Sequence, residues 1–302
     1  IFRGIRSAFR MPPPRMRLIV FCSQTEMPPL LDIANPESHN GAVAGIPVAV
    51  DDRVDSPTKL EQPLDVGRYA FSCTRGTLFC ASVSRNGRAE AHAGLQELDP
   101  GSDALTLLKT APFNVSLTLK RPSCLICDSV LFGAEIADRI AYLTGGMIFD
   151  VDACRRYGPR QWHVERPAGD VDAREHLSIH VQTNGDGSLW LHTHGLIKFG
   201  RPEIELMDVP ADIKLEAYTM LLNTSQYILE GTIIKPGDAI GDEQRPLKVR
   251  AGRNPDDHYD VPVLELTAGC GQEPHDPHEI VPPVLAWFKR FKGDKPGGAC
   301  PH

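Results

Sequence analysis

His176-Leu177-Ser178-Ile179-His180-Val181-Gln182-Thr183-Asn184-Gly185-Asp186-Gly187-Ser188-Leu189-Trp190-Leu191-His192-Thr193-His194 is two alternating runs around a turn-forming centre. Alternation at period two marks strands, and Asn-Gly-Asp-Gly between them marks a hairpin. Two registers compete. A two-residue loop puts Leu177, Ile179 and Val181 on one face with Trp190, His192 and His194, which mixes polar with apolar side chains. A type I turn with Gly187 left-handed, as a G1 bulge, shifts the pairing by one residue. Asn184 then pairs with Ser188, Gln182 with Trp190, His180 with His192, and Ser178 with His194. Leu177, Ile179, Val181, Leu189 and Leu191 gather on one face. Ser178, His180, Gln182, Trp190, His192 and His194 gather on the other. A sheet buried on one side requires that separation, so the second register is expected.

In this register His180, His192 and His194 are cross-strand neighbours. Two histidines at i and i+2, with a third across the ladder, can hold Zn²⁺. Glu203 and Glu205 share one face of the next strand and offer a fourth ligand, a second shell or a general base. The same residues also suit a hydrogen-bonded polar sheet face, under a helix or against solvent. No residue is assigned a catalytic role.

Outward from the hairpin, Glu203–Val209 alternates as a third strand. Ala211–Glu230 has helical spacing, with Leu215, Tyr218, Leu221, Leu222 and Ile228 on one face and Gly231 at its end. Strands are expected at 247–250 and 261–266, and a short helical piece at 286–291, where Trp287 or Phe288 should pack on the body. Upstream, 115–119 alternates as a strand. Residues 123–143 carry Val130, Leu131, Ala134, Ala137, Ile140, Ala141 and Leu143 at helical spacing, stopped by Gly145-Gly146. Met147–Val151 is a short buried strand. Earlier strand-like runs are 17–22, 46–50, 68–73 and 78–84, with a turn at Arg75-Gly76, while 24–64 reads mainly as loop. Runs of strands with helices between and after them imply an α+β fold. Its sheet is mixed or antiparallel, with two main helices packed on one face.

The expected organisation is a disordered leader over 1–16, a β-rich region over 17–111, an α+β domain over 112–292 and a flexible tail over 293–302. Residues 1–17 hold five arginines, Arg3, Arg6, Arg10, Arg15 and Arg17, with no acid and three consecutive prolines. The leader reads as a targeting arm or as a segment upstream of the natural start, and the second is expected, since Met16 stands directly before the first strand.

The chain has 302 residues, 41% hydrophobic and 24% charged, with a formal net charge of −7. That supports a sizeable core and argues against nucleic acid as a partner. No segment has the roughly 20 apolar residues of a membrane helix. Eight irregularly spaced cysteines, several inside apolar runs, read as free thiols of a cytoplasmic protein. Cys124-Leu125-Ile126-Cys127 is a CxxC at a helix start, read as structural thiols. Cys270, His275 and His278 lie in a Pro-rich loop and read as plain loop. There is no P-loop, dinucleotide fingerprint or G-x-S-x-G.

His194-Gly195-Leu196-Ile197-Lys198-Phe199-Gly200-Arg201-Pro202-Glu203-Ile204-Glu205-Leu206 resembles a motif of uncharacterised bacterial α+β domains of the suppressor-of-fused type. The resemblance covers roughly 112–267. It implies an immunity-type or regulatory interaction module and no assigned reaction. The expected function is therefore non-enzymatic protein binding, with a protein partner and no cofactor. The alternative is a metal-binding protein or metal-dependent hydrolase that uses Zn at His180, His192 and His194.

Overall fold

The computed structural model describes residues 10–34, 63, 65–72, 76–85, 103–123, 125–158, 171–241, 246–254, 260–268, 281 and 284. They fall into two compact units, Pro14–Asp170 and a second beginning at Val171. Each is built on its own six-stranded sheet, and together the sheets and helices make an α+β fold.

The first unit contains β1 (Arg17–Cys22), α1 (Leu30–Ala34), β2 (Gly67–Ser72), β3 (Leu78–Arg85) and α2 (Asp103–Thr110). It continues with β4 (Phe113–Arg121), α3 (Ile126–Thr144), β5 (Met147–Asp150) and β6 (Arg155–Tyr157). Its antiparallel sheet runs β2-β3-β4-β1-β5-β6. The unbroken apolar run of β1 suits a central strand covered on both faces, and Leu18 to Cys22 are all buried. Ile19, Phe21, Met147, Phe149 and Ala111 form one apolar cluster, closed by Leu107 of α2. α3 packs on β1, β4 and β5. Gly145, left-handed at φ 61°, ends α3 as expected.

The boundary expected at 111/112 falls inside this unit. β4 reads as a strand from its alternation, but alternation does not name a partner, and β4 pairs with both β1 and β3. At the expected leader's end, Met16 is fully buried and Arg15 bonds Asp152 at 2.9 Å beside Arg17. α1 lies in the stretch read as loop, and α2 and β6 are too short to have shown a period.

The second unit contains α4 (Ala173–His176), β7 (Ser178–Thr183), β8 (Leu189–His194), β9 (Glu203–Val209), α5 (Lys214–Leu229), β10 (Ala239–Ile240), β11 (Leu247–Ala251) and β12 (Val263–Ala268). The order is β10-β11-β12-β9-β8-β7. Two antiparallel meanders are joined by one parallel pairing, β9 with β12, so this sheet is mixed. Each sheet carries one of the two main helices, α5 lying on β8 and β9.

The hairpin has the bulged register. Ser178 pairs with His194, His180 with His192 and Gln182 with Trp190. Asn184 N–H donates to Ser188 O at 2.8 Å, and Gly187 sits at φ 85°. Gly187→Val is expected to cost about 1–3 kcal/mol through backbone strain alone, because a Cβ there meets nothing within 4 Å. Gly187→Asn should cost much less. Denaturant midpoints of the two variants check this, and equal losses would show that φ is not the cause.

α5 seats differently from expectation. Its core side is Ala217, Met220, Leu221, Thr224, Ser225 and Ile228. Thr224 and Ser225 can be buried there because their hydroxyls donate to the carbonyls of Met220 and Leu221. Leu215 and Tyr218 are left outside, 73% and 37% exposed.

Among the described residues no helix is long and apolar enough to cross a membrane. Among the described residues, Cys22, Cys80, Cys127 and Cys154 are thiols not joined in disulfides. Burial pushes the Cys22 thiol up to about 11, which makes it a poor nucleophile. The run 46–50, Cys124, the Cys270/His275/His278 cluster and the 286–291 piece lie outside the described residues.

Candidate functional site

β8 is the strand that positions the site. All six of its residues are buried, so both of its faces are covered. One face carries Leu189 and Leu191, the latter opposite Leu206 of β9. The other carries Trp190, His192 and His194, with His180 opposite His192 on β7 and Glu205 opposite His192 on β9.

The register brings the three imidazoles together. Ring centroids lie 4.3 Å apart for His180–His194, 5.1 Å for His192–His194 and 5.6 Å for His180–His192. A ring nitrogen of His180 and one of His194 approach within 4.8 Å. His192 does not complete a three-nitrogen set with them, so the rings cluster but their nitrogens do not converge on one point. The Trp190 indole lies against His192 at 4.0 Å. Its Nε1–H donates to Glu205 Oε2 at 3.0 Å, so the indole that flanks His192 is itself held by a buried carboxylate.

The two glutamates have specific tasks. Glu205 Oε1 also accepts the backbone N–H of Arg253 at 2.6 Å. Arg253 reaches on to Asp208 and Glu265, each at 2.8 Å. Those two carboxylates hold its guanidinium firmly charged. Asp208 is left-handed at φ 55° where the β8–β9 ladder slips, and the slip aims its side chain at Arg253.

Glu203 anchors the connection from β8 to β9. Its Oε1 accepts the N–H groups of Gly195 at 2.9 Å and Ile197 at 3.1 Å. Its Oε2 accepts the Thr193 hydroxyl at 2.7 Å. The connecting 3₁₀ turn, Leu196–Phe199, is entirely buried and has no side-chain cap of its own, so the carboxylate takes that place. Burial pushes the Glu203 carboxyl up to about 7, against the lowering by Thr193 and the backbone donors. The bonds on Glu203 and Glu205 thus hold the chain in place, which the reading of them as ligand or base did not foresee.

Sequence reasoning also passed over Lys198, fully buried in that turn, and the Trp190–Glu205–Arg253 chain. A signal for Lys198 was present. It stands between Ile197 and Phe199 in a six-residue run bounded by Gly195 and Gly200.

Residues 178–253 match a family model described as Protein of unknown function (DUF4026) C-terminal. No curated protein and no solved structure matches the chain. The match runs from the first residue of β7 to Arg253 and so holds the hairpin, the three histidines and both glutamates. An uncharacterised domain is therefore present where the 194–206 motif lies, over a shorter span than 112–267.

Proposed function

We propose that the second unit is a protein-binding module that presents the outer flank of α5. The supporting observation is the apolar stripe of Leu215, Tyr218 and Leu222, spaced at i, i+3 and i+7 on one side of the helix. Leu215 and Tyr218 are exposed and Leu222 is half-buried. The core needs none of them, because α5 fills it with Met220, Leu221 and Ile228. Ile233, 61% exposed, lies four residues beyond the end of the helix. Exposed apolar residues set singly carry no meaning, but a stripe about two helical turns long is what an interface requires. Lys214 and Glu216 flank its start and suit a polar rim. The resemblance to suppressor-of-fused-type and immunity modules points the same way.

A photo-crosslinker at position 215 should trap a defined partner from native extract, well above one placed at exposed Lys235. The double variant Leu215→Glu/Tyr218→Glu should keep the melting temperature within about 2 °C, since surface changes are near neutral. It should lose at least tenfold in affinity for the purified partner. Equal trapping at both positions, or unchanged affinity, overturns the reading.

A further inference from the structure

We infer that the histidine face of the second sheet is a binding site for a divalent transition-metal ion. His180 and His194 are its primary ligands, and His192 is the third imidazole. The inference is independent of the α5 surface, which belongs to another element and another side-chain chemistry.

Geometry carries it. With a metal–nitrogen distance of about 2.1 Å, two imidazoles at tetrahedral angles have ligating nitrogens about 3.4 Å apart and ring centroids about 5.2 Å apart. The three observed separations, 4.3, 5.1 and 5.6 Å, bracket that value. The His180 and His194 nitrogens, already within 4.8 Å, need only small side-chain rotations to share one ion. His192 must turn its ring, and its centroid distances leave the ion within reach.

The backbone fixes this arrangement. His180 and His192 are a directly opposed pair in the ladder, and His194 is two residues along on the same face.

The donor set names the class of ion. Three neutral imidazoles suit Zn²⁺, Cu²⁺ or Ni²⁺ and do not suit Ca²⁺ or Mg²⁺, which need oxygen donors. An imidazole binds in its unprotonated form, so loading releases protons and weakens in acid.

The test uses the full chain, purified without a histidine tag and stripped with chelator. Titration with Cu²⁺ and with Zn²⁺ should give one tight site per chain. Low-temperature EPR of the Cu²⁺ form, with ¹⁴N-histidine compared against ¹⁵N-histidine protein, should show coupling to three imidazole nitrogens. His180→Gln and His194→Gln should each weaken binding at least about tenfold. His192→Gln should reduce the nitrogen count to two. Two or fewer coupled nitrogens in the wild type overturns the three-imidazole site. Unchanged affinity in both His180→Gln and His194→Gln overturns the location and assigns the ion to other residues. The wild-type EPR count needs no variant, so it decides the matter even if a substitution unfolds the sheet.

Discussion

Replacing Glu203 with alanine is expected to destabilise the second unit by about 3–5 kcal/mol, because two buried backbone donors lose their acceptor at about 1–3 kcal/mol each. Those donors are Gly195 N–H and Ile197 N–H, and the Thr193 hydroxyl loses its partner as well. Glutamine should behave differently. Its carbonyl can accept the two backbone donors. Its amide can donate to Thr193 Oγ1, which then turns its own hydrogen to Ile204 O, 3.3 Å away. Urea unfolding of the two variants measures the difference. A cost below about 1 kcal/mol for Glu203→Ala would mean that water replaces the carboxylate.

The same residue makes stability depend on pH. The carboxyl is raised from 4.5 to about 7 in the folded chain. On a rise in pH the unfolded chain therefore loses this proton first. Where the unfolded state binds fewer protons, stability falls as pH rises. The contribution is full below about pH 4.5, declines through pH 7 and is flat above it. Its span is on the order of 3 kcal/mol. The protonated form fits the site, since Oε2–H can donate to Thr193 Oγ1 by the same turn of the hydroxyl. Wild type minus Glu203→Gln isolates the effect, and parallel stability curves for the two proteins between pH 5 and 8 would refute it.

The second large effect is expected at Gly146→Ala, at about 3 kcal/mol or more in the first unit. A Cβ on Gly146 would lie 2.3 Å from the carbonyl oxygen of Phe21 and 3.2 Å from its carbonyl carbon. Neither atom can swing away as a side-chain tip could. Phe21 is inside β1, held by β4 on one side and paired with Met147 on the other. To relieve the clash β5 must move off β1, and Met147 and Phe149 would leave the apolar cluster with it. Thermal unfolding that reports on this unit should show a drop of many degrees, and a loss under about 1 kcal/mol would mean that the α3–β5 corner is softer than its contacts imply.

The hairpin was legible because two local signals agree. The turn chemistry at Asn184–Gly187 allows a bulge, and only the bulged register separates the faces. The helix ending at Gly145 and the central strand Arg17–Cys22 were legible for the same reason, strong local pattern. What the sequence leaves open is long-range. Nothing in the alternation of Phe113–Arg121 says that it joins the first sheet. The polar alternation of β8 resembles a half-exposed strand, yet both of its faces are covered. Its Trp190 is served by Glu205 fifteen residues away, and Glu205 in turn by Arg253. Likewise Leu215 and Tyr218 sit at helical spacing with Leu222, and spacing alone does not choose which stripe faces inward. Thr224 and Ser225 shift the choice by satisfying their hydroxyls within the helix.

The single parallel pairing of the second sheet has a kinetic meaning. The β7–β8 turn closes after a few residues, whereas β9 meets β12 with Glu203 opposite Val263. Loop-closure entropy makes that second event costlier by about 2 kcal/mol. The β7–β9 meander is therefore the part able to form first, and β12 adds to a template that already exists. The strand holding Glu265, and with it the ion pairs to Arg250 and Arg253, is therefore expected to join last. Local opening of this unit should then begin at β10–β12, well before the hairpin lets go.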